Sequence, residues 1–167
     1  MISVFDSHTI SIYLLNKPGS LLRVAQVFSR RGFNIDALSV SPVGHDGQYS
    51  RMTITSTGDQ ETLDQIIKQV SKLVDVVQCT DHQHQNTIER ELALIKVRAE
   101  GKDRSEILQL ITHFKAQTVD FSDESLIVQV TGSTEKLDAL LDMLQKYGVI
   151  EVVRTGKLLI ARGKETT

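Results

Sequence analysis

The chain of 167 residues contains no tryptophan, and aromatic residues make up only 5% of it. Hydrophobic residues amount to 40%, which is enough for a core. With so few aromatic residues, we expect that core to consist of leucine, isoleucine and valine. The length fits one domain of ordinary size or two small ones.

Cys79 is the single cysteine, so no disulfide can form within the chain. This cysteine usage favours a reducing compartment. Residues 1–6 lack the basic start and the long apolar run of a signal peptide, and no apolar stretch in the sequence is long enough to span a bilayer. We therefore expect a soluble, cytoplasmic protein without a membrane partner.

The chain also lacks an excess of charge of either sign. The formal net charge is −2 and the isoelectric point is about 6.2, so nothing attracts the whole protein to nucleic acid. Arg30 and Arg31 form a local basic pair, but a solvated helix end explains them. We expect no nucleic-acid partner.

Four segments have apolar residues at the spacing i, i+3, i+4 and i+7, which predicts helices that pack one face on a sheet. They are Leu21, Val24, Ala25 and Phe28; Leu63, Ile66, Ile67 and Val70; Ile107, Leu110, Ile111 and Phe114; and Leu137, Leu140, Leu141 and Leu144. Between them, apolar residues alternate with period two, which predicts strands. These residues are Ile10, Ile12 and Leu14; Met52 and Ile54; Ala93, Ile95 and Val97; and Leu126, Val128 and Val130.

The order of elements is βαββαβ, repeated once. It predicts an α+β protein of two consecutive ferredoxin-like units, each an antiparallel sheet with helices on one face. We assign the first domain to residues 1–80, a polar linker to 81–90 and the second domain to 91–167. Asp59 is expected to cap the second helix, and Asp103 with Glu106 the third.

The turn after the first strand is the candidate binding site. Pro18 suits the first turn of a helix, and Gly19 allows a ligand to approach the backbone, whose free N–H groups can bind a carboxylate. No nucleophile, general base or metal cluster accompanies this turn. His82 and His84 with Asp81 lack further ligands, so we expect solvated side chains there and no metal site. A small anion pocket without catalytic groups indicates a sensor.

Several ordered stretches carry a family resemblance. They include GSLLRV at 19–24 and FSRRGFNI at 28–35, followed by segments 50–54, 69–76, 89–97, 132–139 and 150–156. The repeated pattern with its Pro-Gly turn resembles the ACT domain, a module that binds amino acids. Nearly the whole chain resembles the small regulatory subunit family of acetolactate synthase.

The resemblance implies a subunit that is not itself an enzyme and carries no cofactor. Its partner would be the catalytic subunit, which uses thiamine diphosphate, Mg and FAD to condense pyruvate with a second 2-ketoacid in branched-chain amino-acid synthesis. The regulatory subunit would activate this partner and confer feedback inhibition by valine. A stand-alone pair of ACT domains that regulates another enzyme or a transcriptional response is the alternative.

The resemblance also implies where valine binds. ACT domains pair as a homodimer, and the effector lies between two copies. One copy would contribute Asn16, Gly19 and Ser20, and the other Asn34 and Ile35. Backbone N–H groups of Gly19 and Ser20 would bind the carboxylate, the asparagine oxygens would accept from the ammonium group, and Ile35 would contact the side chain. The second half lacks a Pro-Gly turn, so no effector site is expected there.

Overall fold

The computed structural model describes residues 6–82, 87–164 and 167. The chain divides into two compact units. The first comprises the residues up to Ile88 together with the final segment from Lys157, and the second comprises Glu89–Gly156.

The first unit contains a four-stranded antiparallel sheet with strand order β2-β3-β1-β4 and two helices. Its elements are β1 (Asp6–Leu15), α1 (Ser20–Arg30), β2 (Ala37–Val43), β3 (Tyr49–Gly58), α2 (Gln60–Val70) and β4 (Val76–Asp81). Both central strands, β1 and β3, direct alternate apolar side chains at the helices, and these positions match the period-two pattern of the sequence. The predicted ferredoxin-like topology is confirmed.

The core of the first unit consists almost wholly of aliphatic residues, as its composition predicted. Its buried members are Ile10, Ile12, Leu14, Val24, Val27, Phe28, Met52, Ile54, Leu63, Ile66 and Val70. Two expected members are absent: Leu21 is 44% exposed and Ala25 is only partly buried, whereas Ser20 is buried. The buried face of α1 consists of Ser20, Val24, Val27 and Phe28, and the Ser20 hydroxyl donates a hydrogen bond to the buried Asp75.

The second unit repeats the arrangement with strand order β6-β7-β5-β8. Its elements are β5 (Thr87–Arg98), α3 (Asp103–His113), β6 (Gln117–Phe121), β7 (Ser125–Gly132), α4 (Thr134–Gln145) and β8 (Val149–Arg154). A further strand, β9 (Leu158–Ala161), pairs with β5 and belongs to the first unit, which also includes the first two residues of β5. Leu137, Leu140 and Leu144 of α4 and Ile107 and Ile111 of α3 are buried, as their spacing predicts.

The polar linker predicted over 81–90 is mostly strand where the structure describes it. Strand β4 ends at Asp81 and β5 begins at Thr87, while residues 83–86 of the predicted linker lie outside the described residues. The burial of β5 alternates from its first residue, so the strand pattern already starts among polar residues. The domain predicted over 91–167 is also shorter, because the chain from Lys157, which includes β9, belongs to the first unit.

One of the two predicted helix caps is confirmed and the other is wrong. Asp59 caps α2, and its carboxylate accepts a hydrogen bond from the Thr62 N–H at 2.8 Å. The capping box at Asp103 is wrong, because Asp103 is the first residue of α3 and Lys102 precedes it without a side-chain cap. Lys102 already has right-handed helical φ and ψ, so the chain enters the helix one residue earlier than a cap at Asp103 requires.

Candidate functional site

The Pro-Gly segment forms a type II β-turn between β1 and α1. The Ser20 N–H donates to the Lys17 carbonyl at 3.2 Å, and Gly19 has φ 84° and ψ −8°, as the third residue of such a turn requires. Pro18 is the second residue of this turn, so its predicted place in the first turn of the helix is wrong. α1 begins only at Ser20.

The backbone conformation at position 19 requires glycine. Its φ lies in the left-handed region that other residues rarely adopt. A Cβ atom on Gly19 would lie 3.2 Å from Nη1 of Arg23, which is tighter than an ordinary van der Waals contact. The guanidinium group of Arg23 therefore lies directly beside the turn.

A buried carboxylate holds this end of α1 in place. Asp75 is 7% exposed, forms an ion pair with Arg23 and accepts a hydrogen bond from the Ser20 hydroxyl at 3.3 Å. Its backbone carbonyl accepts from the Leu15 N–H at 2.8 Å. Asp75 thus joins the end of β1, the start of α1 and the segment before β4.

The turn is joined on its other side to the loop between β2 and β3. Asn16 donates its backbone N–H to the Gln48 carbonyl at 2.8 Å, and its side-chain Nδ2 donates to the Gly47 carbonyl at 2.9 Å. Since the amide nitrogen is the donor in this bond, the amide oxygen remains an acceptor. This agrees with its expected use toward an ammonium group.

One of the backbone N–H groups that was expected to bind a carboxylate is used within the turn itself. The Ser20 N–H was expected to bind a carboxylate, but it donates to Lys17 within the turn. The N–H groups of Leu21 and Leu22 belong to the first turn of α1, so they have no acceptor within the helix. They lie at the positive end of the helix dipole and replace Ser20 as candidate donors to an anion.

A small depression opens beside the turn. Its volume is about 70 Å³, and Asn16 and Ser20 contribute to its polar side. Its apolar lining consists of Leu14, Leu15, Leu21, Val40 and Met52. A polar end beside an apolar wall suits a small molecule with a charged head and an aliphatic side chain.

Asn34 and Ile35 lie elsewhere in the first unit. They line a second depression of about 390 Å³, which lies against the C-terminal half of α1. The Asn34 Nδ2 donates to Asp36 at 2.8 Å, its carbonyl accepts from the Ser56 hydroxyl at 2.6 Å, and Ile35 packs against the core. Within one chain the structure therefore brings together Asn16, Gly19 and Ser20 but not these two residues.

Sequence reasoning missed Arg23 and Asp75. A signal for both was present, because Arg23 follows Ser20 by one helical turn and Asp75 is a lone charge in the apolar run 73–77. A charged residue in such a run is seldom buried without a partner. That pattern predicts a buried ion pair.

The corresponding loop of the second unit is occupied by an arginine. Arg104 donates to the carbonyl of Ala99 at 2.8 Å, of Ser122 at 2.6 Å and of Asp123 at 2.7 Å. Its guanidinium also lies 4.5 Å from the centre of the Phe121 ring. These contacts join the start of α3 to the end of β5 and to the turn between β6 and β7.

Other candidate chemistry finds no support in the described part of the chain. It holds no group of three or more potential metal ligands and no helix of the length and hydropathy needed to cross a membrane.

His82 is buried rather than solvated, with its Nε2 2.6 Å from the Ser11 hydroxyl. His84 lies outside the described residues. Burial and the charge of Asp81 raise the pKa of the Cys79 thiol to about 12, which makes it a poor nucleophile.

Comparison with known protein families matches both units. Residues 10–78 match the model of the AHAS small subunit-like ACT domain, and residues 90–163 match the small subunit of acetolactate synthase. The two matches together cover most of the described chain.

Individual relatives match over nearly the whole length. The acetolactate synthase small subunit of Mycolicibacterium smegmatis is 43% identical over 94% of this chain and 92% of its own. A probable acetolactate synthase small subunit of Archaeoglobus fulgidus is 43% identical over 95% of this chain and 98% of its own. The crystal structure of the small subunit from Thermotoga maritima superposes with a TM-score of 0.84 at 40% identity, over 96% of this chain and 99% of that one.

Proposed function

The chain belongs to the family of acetolactate synthase small subunits, and from this premise we propose that it activates a catalytic subunit and makes that subunit sensitive to valine. The observation that carries the proposal is the depression beside the Pro-Gly turn, with its polar end and apolar wall, in a chain that matches this family over both units. The chain itself contributes regulation and no catalytic group.

The catalytic chemistry belongs to the partner in this proposal. Thiamine diphosphate, Mg and FAD would all be bound by the catalytic subunit, which joins pyruvate to a second 2-ketoacid.

Valine would bind between two copies of the chain. Asn16, Gly19 and Ser20 of one copy and Asn34 and Ile35 of the other would form the pocket. The separation of these two groups within one chain supports this arrangement, since Asn16 and Ser20 line one depression while Asn34 and Ile35 line the other. The exposed Leu21 beside the turn supports it further, because pairing would remove its apolar surface from water.

A pocket shared by two copies links ligand binding to quaternary structure. Valine can shift an equilibrium between arrangements only if it binds one of them better than the other. The coupling free energy in such systems is typically about 1–3 kcal/mol. We propose that the arrangement favoured by valine no longer holds the catalytic subunit in its stimulated state.

The test combines the full chain with its catalytic subunit and measures acetolactate formation with and without valine. Gly19→Asp should abolish valine inhibition, because it adds bulk beside Arg23 and a negative charge where a carboxylate docks. Gly101→Asp is the matched control: Gly101 also has a positive φ of 52° and lies in the corresponding loop of the second unit. Normal valine inhibition in the Gly19 variant would overturn the site.

The alternative function is regulation of a different enzyme or of a transcriptional response by a stand-alone ACT pair. Affinity purification of the tagged chain from its own cells discriminates the two. Recovery of a large thiamine diphosphate enzyme supports the proposal above. Recovery of another enzyme or a transcription factor, with no stimulation of acetolactate formation, would favour the alternative.

A further inference from the structure

One terminal nitrogen of the Arg23 guanidinium group contacts protein acceptors, and the other lies beside Gly19. Its Nη2 contacts Asp75 and lies 3.3 Å from the Ser20 hydroxyl. Its Nη1 has no acceptor among the described residues, and it is the atom that a Cβ on Gly19 would approach to 3.2 Å. The side chain is 44% exposed, so this open side is accessible to a ligand at the turn.

We propose that Arg23 binds the carboxylate of the amino-acid effector and that Asp75 is the positioning residue that holds its guanidinium beside Gly19. The inference rests on the effector site proposed above and assigns it a residue outside the five already named. In this arrangement one carboxylate oxygen accepts from Arg23 and the other from first-turn N–H groups of α1.

Charge balance at the turn favours this assignment. Asp75 is buried close to the place where the effector carboxylate would dock, and an unpaired negative charge there would repel it. The guanidinium of Arg23 neutralises Asp75 and still has free N–H donors, since arginine carries five. A planar, permanently charged group fixed on one side by a buried carboxylate is preorganised for a second carboxylate.

The change of donor at Ser20 leaves the turn without a charged group toward a carboxylate. The Ser20 N–H is used within the turn, and the N–H groups of Leu21 and Leu22 that replace it are neutral. Arg23 adds a donor with a full charge. Hydrogen bonds that involve a charged group contribute more to binding than neutral ones.

The experiment compares ligands with and without a carboxylate. The full chain, assembled with its catalytic subunit, is titrated calorimetrically with valine and with valinol, which keeps the ammonium group and the side chain. Arg23→Gln should weaken valine binding about 10- to 100-fold and valinol binding less than about threefold. Arg30→Gln, at the exposed C-terminal end of the same helix, is the matched control and should change neither.

A second variant separates direct contact from charge repulsion by Asp75. In Arg23→Gln with Asp75→Asn, the repelling carboxylate is removed while the donor remains absent. Valine binding should stay at least about tenfold weaker than in the unchanged protein. Recovery of full affinity would show that Arg23 only neutralises Asp75 and would overturn the proposed contact.

The outcomes also distinguish this inference from the proposed function. If the unchanged complex binds valine but Arg23→Gln weakens valine and valinol equally, Arg23 is merely structural and this inference alone fails. If the unchanged complex binds neither ligand, the effector site itself is wrong, and the assignment of Arg23 falls with it.

Discussion

Single buried polar groups decide much of the local structure in this protein. Asp75 is the main example, because its carboxylate holds the start of α1 through Ser20 and Arg23 while its backbone carbonyl accepts from the end of β1. Glu91 has a similar place in the second unit, where it is 7% exposed and pairs with Arg154. Since a buried charge without a partner is costly, such pairs are where substitutions have large effects.

Replacement of Arg154 by alanine should destabilise the second unit. Arg154 pairs with the buried Glu91 and, at 2.5 Å, with Asp138. Burial alone would lower the pKa of Arg154, but these two carboxylates raise it, so the charged form is favoured. Leaving Glu91 unpaired should cost roughly 2–4 kcal/mol in the free energy of unfolding, measured by urea denaturation.

Lys96→Ala is the control for this measurement. Lys96 lies 3.7 Å from Glu151, and both side chains are substantially exposed. A surface pair of this kind contributes about 0–1 kcal/mol. Equal losses of stability in the Arg154 and Lys96 variants would contradict the importance given to burial.

The thiol of Cys79 should be unreactive in the folded protein. Burial, assisted by the charge of Asp81, raises its pKa from 9.0 to about 12, and only the thiolate is a good nucleophile. A thiol-specific reagent at neutral pH should label the native chain far more slowly than the chain in guanidinium. Rapid labelling without denaturant would contradict the assigned burial.

The raised pKa of Cys79 also determines how its contribution to the stability of the fold varies with pH. The folded chain keeps the thiol proton at pH values where the unfolded chain has lost it. The contribution of Cys79 to stability is therefore complete below pH 9.0 and decreases as the pH rises from there toward 12. Cys79→Ser should remove this alkaline component from the stability profile.

At the scale of helices and strands, periodic segments were predictable, whereas the place of the Pro-Gly segment was predicted wrongly. The strand from Ile10 to Leu14 and the helix face of Leu137, Leu140 and Leu144 repeat an apolar residue often enough to define their structure. Pro18 and Gly19 fit either a helix start or a type II turn. Proline at the second and glycine at the third position is a signature of the type II turn, so the local sequence favours the turn that the hydrogen bond from the Ser20 N–H to the Lys17 carbonyl confirms.

Two further misses have a common cause. Strand β9 has only four residues, too few to establish a period, and its existence depends on pairing with β5. Leu21 has the spacing of a core residue, but the buried face of α1 begins at Ser20, whose hydroxyl donates to Asp75, and this leaves Leu21 exposed. In both cases a contact distant in sequence determines the result.

Loss of the cap at Asp59 should weaken α2. Hydrogen bonding by the Thr62 N–H lowers the pKa of Asp59, so the stabilising form is the carboxylate. This contribution is present above the pKa of an unfolded aspartate and is lost as the pH falls through the lower folded value. Asp59→Ala should reduce Tm at neutral pH, and the difference from the unchanged protein should shrink in acid.

Ser133→Ala serves as the control for the cap. Ser133 occupies the same N-terminal position before α4 but makes no side-chain cap hydrogen bond. Its replacement should leave Tm nearly unchanged at every pH. A decrease as large as that of the Asp59 variant would mean that residue type, rather than the observed hydrogen bond, stabilises these helix starts.

At the scale of the whole molecule, the proposed effector site requires more than one chain. The turn residues and the pair Asn34 and Ile35 belong to different depressions of one chain. If valine contacts both groups at once, each bound valine joins two copies. Mass action then requires valine to strengthen pairing, because a ligand stabilises the state that binds it.

Valine should therefore lower the concentration at which the chain dissociates into single copies. With valine at about 100 times its dissociation constant, each shared site stabilises the pair by roughly 2.7 kcal/mol, and two symmetric sites act together. Sedimentation at decreasing protein concentration, with valine or valinol present, measures the change. Asn34→Ala should pair normally without ligand and lose most of the valine effect. A dissociation midpoint that saturating valine leaves unmoved would place the effector within one chain and contradict a shared pocket.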